Sequence, residues 1–262
     1  MDIIVGMHQN QGKREYQQDA MSIKKFPSIG VLSILADGMG GYVGGEIASK
    51  LVSENFRDFS IDGDIGESLK KYLLKGNTAI KDYKEDHPNV KSMGTTAIAF
   101  FMTDKSCQWV SVGDSPLYVI RNRSTITRIN ENHSVAGLLD LQAKKEIITI
   151  EEAKNNPNRH LLTSAITGEE LSTIDFQEYK MNKEDNFQFL LASDGIETLS
   201  EKQILDIITQ SVSVESTKDA LLEKIKKINK PRQDNATVII INNPKNNTKK
   251  NPFKKFLKTL YS

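Results

Sequence analysis

The stretch Ser33-Ile34-Leu35-Ala36-Asp37-Gly38-Met39-Gly40-Gly41 organises the reading of the whole chain. The apolar run over 31–36 reads as a strand buried on both faces. It ends abruptly in one carboxylate and three glycines. Without a Cβ, glycine lets the backbone take positive φ or come close to a ligand. A carboxylate fixed at the end of a buried strand, beside bare backbone, suits a hard cation that takes side-chain and carbonyl oxygens together. A lone Asp-Gly serves equally well as a tight turn. Two other glycine-rich readings fail on residue type. A dinucleotide fingerprint counted from Gly38 and Gly40 meets Val43 where glycine or alanine is required, and Asp37 would repel a pyrophosphate. A Walker A loop needs Gly-Lys-Ser/Thr, whereas Gly45 is followed by Glu46-Ile47. The pattern then recurs far away, in Phe189-Leu190-Leu191-Ala192-Ser193-Asp194-Gly195.

The 262 residues are ample for a substantial core, and 35 basic against 34 acidic residues leave a net charge of +1. That balance argues against a surface built for nucleic acid. The single Cys107 excludes an intrachain disulfide and a cysteine cluster for zinc. The opening Met1-Asp2-Ile3-Ile4-Val5 carries an acid and only a brief apolar run, unlike a signal peptide, and no stretch approaches the length of a spanning helix. A soluble, cytoplasmic protein is expected.

Along the chain, strands are expected over 3–7 and 20–26, then the Asp37 strand. Two helices follow, one with Ile47, Ala48, Leu51, Val52, Phe56 and Phe59 on one face, the other with Ile65, Leu69, Tyr72, Leu73, Ile80 and Tyr83. Further strands are expected over 96–103, 107–112 and 117–121, with Gly113-Asp114-Ser115-Pro116 as the turn between the last two. Residues 134–168 read as a small, mostly helical insertion. Strands resume over 173–181 and 187–192. Helices over 201–209 and 217–228 begin after Ser200 and Ser216, and Asp234-Asn235 leads into a last strand over 236–241. Strands cluster and helices pair without steady β-α alternation, which favours an α+β fold of antiparallel sheets with helices outside them.

Five acids fall at expected strand ends or tight turns: Asp19, Asp37, Asp114, Asp194 and Asp234. Brought together, they would repel one another strongly without bound cations. His8, His87, His133 and His160 lie apart, so an oxygen-only site selecting Mg2+ or Mn2+ is indicated over zinc or copper.

These residues resemble the metal-dependent serine/threonine protein phosphatases of type 2C, in their compact bacterial form. The resemblance runs from Gly6 to Ile241. It is carried in order by Arg14-Glu15-Tyr16-Gln17-Gln18-Asp19, Ala36-Asp37-Gly38-Met39-Gly40-Gly41, Gly94-Thr95-Thr96-Ala97, Gly113-Asp114-Ser115, Leu191-Ala192-Ser193-Asp194-Gly195 and Asp234-Asn235-Ala236-Thr237-Val238. It implies two packed antiparallel sheets flanked on each side by antiparallel helices, a four-layer αββα sandwich. It also implies two Mn2+ or Mg2+ ions about 3.5–4 Å apart, bridged by a water that attacks phosphorus in line. On matching positions, Asp37 would bridge both ions, the Gly38 carbonyl would join it, Asp194 and Asp234 would hold one ion, and Asp19 would orient waters around the other. Arg14 would grip the phosphate, since a planar guanidinium meets two phosphate oxygens at once. Asp114 resembles the acid used for a third, weaker ion; a structural hairpin turn explains it equally well.

Some positions depart from the family pattern. Gln18 brings no charge where an acid is common, Met39 replaces a histidine proposed as general acid in eukaryotic members, and Pro116 and Ser164 stand where arginines are usual. Asn132-His133-Ser134 replaces the commoner Asp-His-Ser. All core ligand positions are kept, so substrate handling is affected more than chemistry.

Domain boundaries are expected at 1–243 for the phosphatase unit, with a flap at about 134–168, and 244–262 for a tail. Within the flap, Leu138, Leu139 and Leu141 are candidates for packing it down. In the tail, Phe253, Phe256, Leu257 and Leu260 share one helical face opposite lysines, a pattern that suits docking on its own domain, a membrane surface or a partner. The resemblance implies a monomer that hydrolyses phosphoserine and phosphothreonine on proteins, opposing a serine/threonine kinase. The alternatives are a catalytically weak relative that binds phosphoproteins and, more remotely, a two-metal nuclease.

Overall fold

The computed structural model describes residues 3–40, 44–90, 92–182 and 186–242. Among the described residues, eleven strands form two antiparallel sheets. The first has the order β1 (Ile4–Asn10), β11 (Ala236–Asn242), β10 (Phe187–Ala192), β7 (Leu117–Arg121) and β8 (Thr125–Arg128). The second runs β2 (Asp19–Phe26), β3 (Gly30–Met39), β5 (Ala97–Met102), β6 (Ser106–Val112) and β9 (Asp175–Lys180), with the short β4 (Gly94–Thr95) paired to the end of β3. Helices α1 (Gly44–Asn55) and α2 (Ile65–Asp86) cover the second sheet. Helices α5 (Glu201–Gln210) and α6 (Val214–Ile228) cover the first.

Three stacked cores explain why the central strands are apolar without alternation. In β3, Val31 and Leu35 point into the core between the sheets, while Leu32 and Ile34 point to α1 and α2. In β10, Phe187, Phe189 and Leu191 face the other sheet, while Leu190 and Ala192 face α5 and α6. A strand with helices on one side and a second sheet on the other must be apolar at every position.

Helix starts follow side-chain caps. The Asp64 carboxylate accepts from the Glu67 N–H at 3.0 Å, and Ser200 and Gln203 form a reciprocal capping box. The last helix differs from expectation: it begins at Val214, capped by Ser213 and closed by Ser216 in a capping box. Ser216 itself therefore lies inside the first turn, because Ser213 offers the same hydroxyl three residues earlier. Strand β8 was not anticipated; its four residues follow a turn at Asn122 and Arg123, both at positive φ.

The flap carries α3 (Val135–Lys144) and α4 (Ile150–Asn155). Leu138 and Leu141 are exposed and only Leu139 is half-buried, so these leucines do not pack it down. Its base is closed instead by bridges of Ser134 to Leu162 and of Thr95 to Ile166, and by the Ser164 hydroxyl donating to the Thr173 carbonyl at 2.9 Å. The apolar face expected over 253–260 lies outside the described residues.

Candidate metal and phosphate site

Sheet topology gathers the acids. Asp19, the first residue of β2, stands directly opposite Asp37 near the end of β3. In the other sheet, β10 and β11 are antiparallel neighbours, so Asp194, just past the end of β10, meets Asp234, just before β11. The two pairs come together where both sheets end. Strand ends are fixed by their ladders, which gives each carboxylate a stiff base.

Cross-sheet hydrogen bonds hold the pairs in place. Asp19 is buried, and its Oδ2 accepts from Ser193 Oγ at 2.8 Å and from Thr237 Oγ1 at 2.7 Å, both on the opposite sheet. Its Oδ1 is buried without a hydrogen-bond partner. The Asp194 N–H reaches Asp37 Oδ2 at 3.4 Å, and the Asp37 carbonyl accepts from Thr95 Oγ1 and the Thr96 N–H, each at 2.8 Å. Gly38 donates its N–H to the Gln18 carbonyl at 3.1 Å. A Cβ at Gly38 would stand 2.2 Å from the Gly45 carbonyl oxygen, so only glycine lets the strand end lie against the start of α1.

Arg14 sits on the loop before β2, and its Nη2 donates to Asp234 Oδ2 at 2.5 Å. That bond raises the guanidinium pKa further, partly offset by burial and helped by the charges of Asp234, Asp194 and Asp37.

Asp114 lies in the turn joining β6 of one sheet to β7 of the other, with Gly113 before it at φ +106°. It lines a cavity of about 540 Å3 together with Asp194, Glu197, Arg128 and residues of the flap. The charges are mutually unfavourable. Burial pushes Asp37 well above the usual carboxylate range, reinforced by Asp19, Asp194, Asp114 and Asp234. Burial, then Asp234, Asp114 and Asp19, push Asp194 up to about 8. Asp19 and Asp114 are also raised, chiefly by burial. Groups that strongly prefer to be neutral, clustered at one end of a rigid scaffold, mark a functional site.

All seven residues singled out from sequence therefore fall in one region: Arg14, Asp19, Asp37, Gly38, Asp114, Asp194 and Asp234. Among the described residues, no three acids or histidines stand ready to ligate a single ion as they are, and Asp234 is turned to Arg14 instead. Sequence reasoning gave no role to Ser193, Thr237 or Asn235, although it quoted the segments that hold them. It missed Arg128, whose half-buried guanidinium donates to the Asp114 carbonyl at 2.8 Å. The alternation Thr125-Ile126-Thr127-Arg128 was the available signal. His133, from the Asn-His-Ser segment, accepts the Gly113 N–H at Nδ1 and so ties the flap's start to the Asp114 turn.

The protein phosphatase 2C family model matches residues 7–228. The chain belongs to that family. It is similar to the serine/threonine protein phosphatase PstP of Mycobacterium tuberculosis, 32% identical over 214 residues, which cover 80% of this chain and 40% of the relative. The chain thus spans well under half the length of that mycobacterial protein. The serine/threonine phosphatase Stp of Listeria welshimeri is 28% identical over 216 residues, covering 79% of this chain and 82% of the relative. Among solved structures, the catalytic domain of PstP in complex with two manganese ions aligns with a TM-score of 0.76 and 28% identity, over 92% of this chain and 97% of that one. The four-layer sandwich expected from the resemblance is the fold observed. No helix among the described residues is long and apolar enough to cross a membrane.

Proposed function

We propose that this protein is a metal-dependent phosphatase that hydrolyses phosphoserine and phosphothreonine on proteins, within a unit spanning 1–243 with its flap at about 134–168. The observation that carries this reading is the meeting of Asp19, Asp37, Asp194 and Asp234 where the two sheets end. The residues fit a pair of Mn2+ or Mg2+ ions on chemical grounds. All the donors are oxygens, Asp19 Oδ1 is buried with no partner, and Asp37 and Asp194 bear charges that their surroundings penalise. Asp37 would bridge the pair with the Gly38 carbonyl beside it; Asp194 and Asp234 would hold one ion, and Asp19 would serve the other through water. Asp114 would serve a third, weaker ion. When bound, such ions supply Lewis acidity and a water acidified enough to act as nucleophile near neutral pH.

The chain's own groups do the rest. Arg14 binds and orients the phosphoryl group from the exposed side of the site, exchanging its contact with Asp234 for phosphate oxygens. Ser193 and Thr237 hold Asp19 Oδ2 so that only Oδ1 faces the site. Met39 has no proton to give, so protonation of the leaving alkoxide falls to water. The net charge of +1 suits protein substrates better than nucleic acid. A cytoplasmic monomer opposing a serine/threonine kinase is the setting this reading implies.

Turnover of an aryl phosphate and of a phosphothreonine peptide, with and without Mn2+, tests the proposal. Hydrolysis that depends on the metal is expected. Full activity after exhaustive chelation would overturn the mechanism, and no activity on either substrate would overturn the function.

A further inference from the structure

Asn235 follows Asp234 at the entry to β11 and is only 4% exposed. Its side-chain amide spends all its visible bonding on the loop that carries Arg14. Nδ2 donates to the Gln11 carbonyl at 2.8 Å and to the Tyr16 carbonyl at 3.1 Å, while Oδ1 accepts from the Gln18 N–H at 2.9 Å. One further anchor comes from the Lys13 N–H, which donates to the Gln233 carbonyl at 2.8 Å. The loop has no helix or strand of its own between β1 and β2, so these bonds stand in for a ladder.

We infer that Asn235 is the positioning residue for Arg14, setting where the guanidinium meets the substrate's phosphoryl group. The inference rests on the phosphatase reading. Arg14's side chain is 56% exposed and pairs with Asp234, so its reach is decided by where its backbone is held. Asn235 is suited to that work by residue type. It offers two donors and one acceptor at fixed angles, matching two carbonyls and one N–H. Aspartate has the same shape and would keep the Gln18 bond, but would set a carboxylate oxygen against the two carbonyls. Alanine would leave all three backbone groups without their partner. The Asn235 N–H also donates to Asp234 Oδ1 at 2.8 Å. A bond made by the backbone survives either substitution, so neither variant removes this hold on the Asp234 side chain, and Asn235→Ala acts on the loop alone.

The test is a double-mutant cycle with saturating Mn2+ and a phosphothreonine peptide. Asn235→Ala is expected to raise KM about tenfold while kcat stays within about threefold, since a displaced arginine weakens binding before and during the reaction alike. In the Arg14→Ala background the same change should add almost nothing. Asn235→Asp should also raise KM, its added carboxylate beside Asp234 contributing as well, so in this variant the loop contact is read by hydrogen exchange if the alanine variant folds poorly. Additive effects on KM, or a kcat loss at unchanged KM, would overturn the inference and leave the phosphatase reading intact. Hydrogen exchange gives a readout that needs no turnover. The segment 11–18 should exchange faster in either variant, while β10 and the body of β11 stay protected. Unchanged exchange in that segment also overturns the inference. A wild-type protein that turns over neither substrate overturns the phosphatase reading, and exchange then decides the Asn235 contact by itself.

Discussion

The acid-bearing end of the sandwich and the flap beside it are built in opposite ways. At the acid end, every functional side chain is rooted in a strand end or in a loop stitched to one. Hydroxyls of one sheet bond the carboxylate of the other. The flap rests on short capped helices, α3 buries no residue completely, and Leu138, Leu141, Ile147 and Ile150 face solvent. The first region carries strain that packing makes affordable: carboxylates are forced together and kept from ionising freely. The second carries little strain and little packing, which leaves its surface free to meet different partners at modest cost to the fold. In the proposed phosphatase, chemistry would fall to the stiff region and substrate choice to the loose one.

The largest expected effect concerns the stiff end. Asp37→Asn and Asp194→Asn should each lower kcat by about a thousandfold or more, because each would remove a charge from the proposed two-ion site. Steady-state assay at saturating Mn2+ checks this, and near wild-type turnover in either variant would break the contrast. Stability should divide the same way. Leu35, fully buried between the sheets, should cost about 2–5 kcal/mol when cut to alanine, whereas Leu138→Ala should stay within about 0.5 kcal/mol by denaturant melts.

A pH series sharpens the same point. Burial and neighbouring carboxylates push Asp194 up to about 8 and raise Asp37 and Asp19 as well. The folded, chelated protein therefore holds protons that the unfolded chain releases near the ordinary aspartate value of 3.8. The stability these groups confer is complete below that value and is lost as the pH rises toward 8. Thermal melts of chelated protein should show a falling melting temperature between about pH 5 and pH 8, and Mn2+ should restore most of the loss. A melting temperature that climbs over this range would show that the acids do not oppose one another as described. The smallest effect belongs to the flap. Leu138→Ser combined with Leu141→Ser should raise KM for a phosphoprotein about threefold and leave aryl phosphate hydrolysis unchanged.

How much of this could be read beforehand followed the same division. Asp37, Asp194 and Asp234 were legible because apolar runs closing on Asp-Gly or opening from Asp-Asn are local signals, and the sheets then do what those signals imply. Arg14 and Asp19 were legible through order along the chain. The partners that hold them were not. Asn235 reaches Gln11 across 224 residues of sequence, and Ser193 reaches Asp19 across 174. No periodicity records which strand end will lie against which. Strand β8 escaped because four residues with half-exposed side chains give too short an alternation to stand out. The flap leucines misled because an apolar residue on a helix reads as core unless the surface opposite it is known.

The pairing of β2 with β3 bears on where this chain can grow. The hairpin turn, residues 27–29, lies at the far end of the ladder from Asp19 and Asp37. Residues inserted there lengthen a surface loop and leave every rung in register. One residue inserted within either strand, between the turn and the acids, would slide Asp19 off Asp37 and carry its carboxylate to the opposite face of the sheet. The turn at 27–29 is thus the natural port for a peptide tag or a guest domain, and the strands leading away from it are closed to insertion.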